Sequence, residues 1–197
     1  HLGVFPEVAA HWDWFSGLIA NAKREVNVLN LFGYTGLASL AAASAGAKVT
    51  HVDASKKSVG WARENQTLSK LIDAPIRWIV DDAAKFTARE VRRGRRYDGI
   101  ILDPPKFGRG PEGEVWRLED HLQSLVADCR QLLDADSRFL FLTVYAVRLS
   151  SLALAGMMDE IFHDLPGRIE HGDLAVREES EDGRLLPTAI FARWSND

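Results

Sequence analysis

Short apolar segments alternate with longer amphipathic segments along this chain, and the alternation restricts the fold more than any other feature of the sequence. The apolar segments predict strands at residues 26–31, 48–53, 76–80, 98–102 and 138–144. Apolar residues at helical spacing between them predict helices at residues 37–45, 55–71, 83–91 and 118–133. Because parallel neighbours need crossover connections that cover the sheet, the alternation predicts a doubly wound parallel sheet with helices on both faces.

The C-terminal part of the chain follows a different pattern. The serine pair 150–151 offers the N-cap of a helix that ends near Phe162. Apolar segments at 174–178 and 188–194 then flank residues 181–183, whose Asp-Gly pair is typical of a hairpin turn. We therefore expect an α/β fold with a Rossmann-like, doubly wound, seven-stranded and mostly parallel sheet that ends in a C-terminal antiparallel hairpin.

The size and composition of the chain fit one domain. Its 197 residues, 46% of them hydrophobic, can bury one sizeable core, so we assign residues 1–197 to a single domain. The first residue is His1 rather than Met, and we expect the chain to be a fragment of a longer protein. Cys129 is the only cysteine, which favours a reducing, cytoplasmic location. No apolar run reaches membrane-spanning length.

The charge of the chain argues against a surface that binds nucleic acid everywhere, since the formal net charge is −4. A local basic segment exists at residues 85–96. Its positive side chains are Lys85, Arg89, Arg92, Arg93, Arg95 and Arg96. Such a segment can follow phosphates, but a solvated helix face is the favoured explanation.

Polar residues and glycines follow the first four predicted strands, at the edge of a doubly wound sheet where ligands bind. After the first strand, the two glycines of Phe32-Gly33-Tyr34-Thr35-Gly36 allow a sharp turn and a close backbone approach to a nucleotide. Asp53 is placed to accept both hydroxyls of an adenosine ribose, or to cap the next helix. Asp82 is placed to accept an adenine amino group beside Ala83, or to act as a cap. The fourth strand leads into Asp103-Pro104-Pro105-Lys106-Phe107, a rigid turn whose carbonyls can hold an amino group.

A glycine-rich turn with a nearby acidic residue is also typical of dinucleotide dehydrogenases, but the turn at 32–36 lacks their three-glycine fingerprint. With residues 103–107 added, the set resembles the class I S-adenosylmethionine-dependent methyltransferases, specifically the bacterial ribosomal RNA large-subunit methyltransferase group. That group typically has Phe-x-Tyr-Thr-Gly, Val-Asp-x-Ser, Asp-Asp and Asp-Pro-Pro-Lys/Thr-Phe at the four strand ends. This chain matches those motifs at 32–36, 52–55, 81–82 and 103–107. The similarity runs from about Gly3 to the final strand.

The resemblance implies S-adenosylmethionine as cofactor and methyl transfer to RNA, to a base of ribosomal RNA, with no membrane partner. It implies that the N-terminal segment, residues 1–24, covers the cofactor, with Phe5 against it and Glu7 near its polar end. The implied cofactor-binding residues are Phe5, Glu7, Phe32, Gly33, Tyr34, Thr35, Gly36, Asp53, Ala54, Ser55, Asp82, Ala83 and Asp103. The implied catalytic residues are Asp103, Pro104, Pro105 and Lys106. The implied substrate-binding residues are Lys106, Phe107 and Arg109. The histidines lack metal-ligand spacing, so no metal is assigned.

Two departures from the group leave the acceptor atom open. In many amino-group methylases an aromatic residue follows the second proline, where this chain has Lys106. Cytosine-5 methylation needs a thiolate, and the members that perform it carry a cysteine after the fifth strand, where this chain has residues 142–146 without one. Cys129 lies among apolar residues at helical spacing and is predicted to be inert. A heteroatom acceptor such as a guanine nitrogen is favoured over loss of the activity.

Two other functions stay open. A small-molecule methyltransferase would need a closed pocket that is roofed by Phe107, Trp116 and the N-terminal segment and has no basic rim. A cofactor-binding but inactive RNA-associated module would keep Asp53 and Asp82 without any acceptor chemistry.

Overall fold

A seven-stranded sheet forms the centre of the computed structural model, which describes residues 3–180 and 182–196. The strands of the chain are β1 (Asn27–Leu31), β2 (Lys48–Asp53), β3 (Ile76–Val80), β4 (Gly99–Leu102), β5 (Phe107–Arg109), β6 (Val115–Arg117), β7 (Phe139–Tyr145), β8 (Arg168–Arg177) and β9 (Leu185–Ser195). The large sheet has the order β3-β2-β1-β4-β7-β9-β8, in which the first five strands are parallel and β9 is antiparallel to both neighbours. The predicted fold class is confirmed.

Helices cover both faces of this sheet. They are α1 (Ala9–Asn21), α2 (Leu37–Ser44), α3 (Lys56–Leu68), α4 (Ala83–Arg92), α5 (Leu118–Gln131) and α6 (Ser151–Phe162). One apolar core joins α4, α5 and α6 to Ile100, and the other joins α1 and α2 to Ile101. Because successive strand residues point to opposite faces, a strand between two cores must be apolar throughout. This explains the continuous apolar runs in the sequence.

Residues 107–117 form a small hairpin, in which residues 110–114 are the connecting turn. β5 and β6 pair antiparallel from Phe107↔Arg117 to Arg109↔Val115. The indole of Trp116 donates a hydrogen bond of 2.7 Å to the carbonyl of Pro105, and Lys85 forms ion pairs with Glu112 and Glu114. These contacts come from distant parts of the chain, so a local Gly/Pro pattern does not predict the hairpin.

The C-terminal antiparallel pair is longer than the sequence predicts. β8 and β9 pair from Arg168↔Ser195 to Arg177↔Leu185. The predicted turn includes Glu181, which lies outside the described residues. In the described part of the turn, a Cβ atom at Gly183 would lie 2.1 Å from the carbonyl oxygen of Glu178, so only glycine fits there.

A short 3₁₀ turn, Pro6–Val8, leads into α1, which packs on the sheet through aromatic contacts. Phe15 stacks on Phe139 at 5.6 Å between ring centroids, and Trp14 meets the same ring edge-on at 5.7 Å. Within the described ranges, no helix is both long enough and apolar enough to cross a membrane.

Candidate active site

A cleft of about 800 Å³ lies at the carboxyl edge of the parallel strands, beneath the β5–β6 hairpin. Its volume falls in the range typical of small-molecule sites. Most of the predicted site residues line it. They are Phe5, Phe32, Tyr34, Asp53, Ala54, Ser55, Asp82, Ala83, Asp103, Pro104, Pro105, Lys106 and Arg109. The fold therefore brings the four sequence motifs to one place.

The remaining predicted residues lie outside the lining of the cleft. Thr35 and Gly36 are buried behind it, Gly33 lies beneath the turn, and Phe107 points to solvent with 54% of its surface exposed. Glu7 is half-buried and close enough to Asp103 to affect its pKa.

The turn after β1 holds two non-glycine residues in the left-handed region, with φ values of 57° at Phe32 and 49° at Tyr34. Gly33 lies between them, flat against the buried ring of His51, where a Cβ atom would be 2.3 Å from a ring carbon. The amide of Gly33 donates to the carbonyl of Val52 at 3.1 Å. Glycine is therefore required at position 33, because any side chain would collide with the ring of His51. The packing of that ring beneath the turn also holds the strained backbone in place.

His51 belongs to a buried polar chain under this turn. The amide of Asn30 donates to the hydroxyl of Ser39 at 2.9 Å, and that hydroxyl lies 3.0 Å from Nδ1 of His51. Burial lowers the pKa of His51 to about 3, so the ring is neutral. This row of hydrogen-bonded side chains supports the turn, and none of its members carries a charge.

Thr35 and Gly36 anchor the turn rather than face the cleft. Gly36 has φ = 85°, and a Cβ atom there would lie 2.8 Å from the Cβ of Ala62. The hydroxyl of Thr35 donates to the carbonyl of Gly3 at 2.7 Å, which ties the N-terminal segment to the turn. Phe5 can then reach the cleft.

Asp53 lines the cleft and also holds the turn after β1. Its carboxylate accepts hydrogen bonds from the amides of Tyr34 at 2.9 Å and Ser55 at 2.8 Å, so it holds the turn. Burial raises the pKa of this carboxyl, and the two amide donors oppose that shift. A carboxylate has about four acceptor positions. Two therefore stay available for ligand hydroxyls.

Asp82 is the N-cap of α4, which is one of the two roles that the sequence predicts for it. Its carboxylate accepts a hydrogen bond of 2.9 Å from the amide of Lys85. It also lines the cleft, with Ala83 buried beside it. The neighbouring Asp81 turns away to pair with Arg89. Of the two aspartates after β3, only Asp82 lines the cleft.

Asp103 is the most perturbed acid of the cleft. Its Oδ1 is buried, and no hydrogen-bond donor within the described residues reaches it. Burial, and then the nearby carboxylate of Glu7, raise the pKa of Asp103 to about 7. The carbonyl of Pro105 accepts from Trp116, and Pro104 lines the cleft.

The predicted substrate-binding residues differ in placement. Lys106 donates to the carbonyl of Ala146 at 3.2 Å and lies 3.7 Å from Glu119, so it bridges the hairpin and the end of β7. Arg109 is exposed on the rim of the cleft. Phe107 lines no part of the cleft, and stacking on a bound base would require it to act from outside.

Tyr145 and Ala146 were not among the predicted site residues, yet both line the cleft at the end of β7. The rings of Tyr145 and Phe5 lie 5.7 Å apart. Ala146 has φ = 52°, a further strained residue at this edge. The predicted site took its side chains from the N-terminal segment, the first four strand ends and the turn after the fourth, and none from the end of the fifth strand. The same strand-end rule would have found Tyr145.

Cys129 is fully buried in the core between α5 and the sheet, away from the cleft lining. Burial, and then the charge of Asp128, raise the pKa of its thiol. The prediction that it is inert fits this position.

The basic segment 85–96 does not form one surface with the cleft. α4 begins at the carboxyl edge and runs back to the amino edge, so residues 92–96 lie at the far end of the sheet. Arg89 pairs with Asp81, and Arg93 with the buried Glu90. These positions favour the solvated helix face.

Comparison with known proteins gives one family and several relatives. The sequence model of the family described as "Conserved hypothetical protein 95" matches residues 12–119. Ribosomal RNA large subunit methyltransferase K/L of Shewanella frigidimarina is 32% identical over 126 residues, which cover 63% of this chain and 17% of that protein. The protein of the same name from Pseudoalteromonas atlantica is 38% identical over 111 residues, 55% of this chain and 15% of that protein. The chain thus spans about a sixth of the length of these curated relatives.

Two solved structures are also similar. The SAM-dependent methyltransferase from Agrobacterium tumefaciens has a TM-score of 0.96 and 51% identity, with 100% of this chain and 64% of that chain covered. Magnesium protoporphyrin IX methyltransferase from Synechocystis PCC 6803, solved with bound SAM, has a TM-score of 0.65 and 18% identity, with 96% and 80% covered. The second likeness concerns the fold alone.

Proposed function

This chain belongs to the conserved hypothetical protein 95 family, and from that premise we propose that it binds S-adenosylmethionine and transfers the methyl group to RNA, to a base of ribosomal RNA. The resemblance to class I methyltransferases and to the ribosomal RNA large-subunit group agrees with the names of its relatives. The observation that carries the proposal is the single cleft in which Asp53, Asp82 and Asp103 meet.

The residues of the cleft fit the proposed cofactor. Asp53 keeps acceptor positions that suit ribose hydroxyls, and Asp82 and Ala83, which we assign to the adenine ring, line the same cleft. Asp103 lines the same cleft, next to the Pro-Pro turn. When bound, S-adenosylmethionine supplies an electrophilic methyl group. The protein contributes position and exclusion of water, which can supply much of the rate.

The shape of the cleft favours RNA over a small molecule. A closed small-molecule pocket needs a roof that includes Phe107, but this ring is exposed and lies outside the cleft. The rim instead carries the cationic side chains of Lys106 and Arg109, which suit phosphates.

We further propose that residues 1–197 form one domain, because both apolar cores are built on the same sheet. The buried free thiol of Cys129 is consistent with the proposed cytoplasmic location.

A transfer assay tests the function. The protein is incubated with S-adenosylmethionine that carries a tritiated methyl group, and with separate RNA, protein and small-metabolite fractions of host cells that lack the gene. We expect label in large-subunit ribosomal RNA. Label in metabolites would support the small-molecule alternative. Binding of S-adenosylhomocysteine by calorimetry without transfer to any fraction would support the inactive module.

A further inference from the structure

The tip of the β5–β6 hairpin is joined to α4 by the side chain of Lys85. Its ammonium group pairs with Oε1 of Glu114 and donates to Oε2 of Glu112 at 3.1 Å. Within the described part of the chain, these are the polar side-chain contacts between the hairpin and α4. We call the three residues the Lys85 bridge.

The Lys85 bridge connects two sides of the cleft. Arg109 and Gly110 line the cleft on the hairpin side, and Asp82 lines it at the start of α4. The carboxylate of Asp82 accepts a hydrogen bond of 2.9 Å from the amide of Lys85. Lys85 therefore links the acid that we assign to the adenine ring with the hairpin above the cleft.

The two ends of the hairpin are held by different kinds of contact. At the base, the buried indole of Trp116 donates to the carbonyl of Pro105, and its ring lies 5.0 Å from that of Phe32. At the tip, the side chains of Lys85 and Glu112 are 50% and 78% exposed, and exposed ion pairs are weak. Segments held by exposed contacts open at a lower free energy than segments held by buried ones. We therefore expect the hairpin to open at its tip.

Glu114 ties the bridge to the conformation of the whole tip. Its Oε2 accepts from the amide of Glu112 at 2.9 Å, and its carbonyl accepts from the amide of Gly110 at 2.9 Å. A Cβ atom at Gly110 would lie 2.2 Å from Oε2 of Glu114, so glycine is required at this residue of the cleft lining. Release of Glu114 from Lys85 consequently affects the residues of the tip together.

We infer that the Lys85 bridge sets the rate at which S-adenosylmethionine enters the cleft and its demethylated product leaves it. The inference rests on the cofactor part of the proposed function and adds positioning residues that act through the hairpin. Lys85, Glu112 and Glu114 line no part of the cleft. Because they make no contact with a ligand there, their loss should change the rates of entry and exit equally and leave the affinity unchanged.

Lys85→Met tests the inference, and Lys48→Met is its matched control. Lys48 is exposed to a similar degree and pairs with Glu25 at 2.7 Å, at the first residue of β2 and away from the hairpin. Rapid mixing with S-adenosylhomocysteine at low salt can be followed by tryptophan fluorescence, because Trp116 lines the cleft. In Lys85→Met we expect the association and dissociation rate constants to rise together, about fivefold, with Kd unchanged within about twofold. Lys48→Met should keep all three values.

Two further variants and the salt dependence separate the bridge from a general loss of structure. Lys85→Arg keeps a cation that can pair with both acids and should keep the wild-type rates. Glu112→Gln retains the Glu114 pair and should raise the rates less than Lys85→Met. Since salt screens exposed ion pairs, the wild-type rates should rise towards those of Lys85→Met as salt is added, while the variant changes little.

Several results would overturn the role of the bridge. They are unchanged rates in Lys85→Met, a faster dissociation with a weaker affinity and an unchanged association rate, or an equal rise of both rates in Lys48→Met. In each of these cases binding of S-adenosylhomocysteine to the wild type would still support the cofactor part of the proposed function. If the wild-type protein does not bind S-adenosylhomocysteine, that part fails and the inference fails with it.

Discussion

The two ends of β4 carry two aspartates in opposite conditions. At the amino end, the carboxylate of Asp98 accepts from the amide of Asn27 at 2.7 Å and pairs with Arg24, and its backbone carbonyl accepts from Arg138 at 2.6 Å. At the carboxyl end, Oδ1 of Asp103 has no partner among the described residues. Four residues of one strand separate an acid with several partners from one whose Oδ1 has none among the described residues.

The same contrast holds for the two ends of the parallel strands, the amino edge and the carboxyl edge of the sheet. Three of the four non-glycine residues with positive φ in the described chain lie at the carboxyl edge, at Phe32, Tyr34 and Ala146. Strain and unpaired polar groups cost stability. The amino edge therefore stabilises the fold, and the carboxyl edge keeps groups available for ligands, as expected where stability is exchanged for function.

The largest effect should come from Asp53→Ala, which removes the acid at the end of β2 that holds the turn after β1. The change deletes the acceptor of two amides as well as the positions for ribose hydroxyls. We expect the Kd for S-adenosylhomocysteine, measured by calorimetry, to rise about 100-fold. Asp73→Ala, at an exposed aspartate before β3, is the control and should bind normally. An unchanged Kd in Asp53→Ala would remove this acid from the site.

Asp98→Ala tests the amino edge. It leaves Arg24 and the amide of Asn27 unpaired, so we expect the free energy of unfolding to fall by about 2 kcal/mol. The affinity for S-adenosylhomocysteine should not change, because the cleft lies at the other end of β4. Asp98→Asn keeps an acceptor for Asn27 and should lose less. A loss of ligand affinity without a loss of stability would contradict the division between the edges.

A change of opposite sign is expected at the carboxyl edge. Since the pKa of Asp103 is raised from 3.8 to about 7, its contribution to stability is complete below pH 4 and is lost as the pH rises through 7. Asp103→Asn carries no such charge. In urea unfolding, its stability relative to the wild type should therefore rise from pH 4 to pH 7, by on the order of 1 kcal/mol per pH unit, and level off above pH 7. A constant difference across this range would show that Asp103 has a normal pKa.

The sequence predicted the sheet and most of the cleft because both depend on local patterns. Apolar runs mark strands wherever they lie between two cores, and the turn 32–36 needs Gly33 wherever a ring such as that of His51 lies beneath it. The β5–β6 hairpin and the outward position of Phe107 were not predictable in this way. They depend on the bond from Trp116 to Pro105 and on the ion pairs of Lys85, which join segments far apart in the chain.

The smallest effect, a change in RNA affinity, should come from removing positive charge at the amino edge. A large effect there would contradict the contrast between the two edges. Arg92, Arg95 and Arg96 are exposed, and they follow α4 to the end of the sheet opposite the cleft. The triple change to Ala should alter RNA affinity by less than about twofold and leave its salt dependence unchanged, because phosphates held at the cleft do not reach this edge. Arg109→Ala, on the rim of the cleft, is the contrasting variant and should flatten the salt dependence by about one phosphate contact. If the triple variant instead lost affinity with a shallower salt slope, RNA would extend across the amino edge, and the paired groups there would serve binding as well as stability.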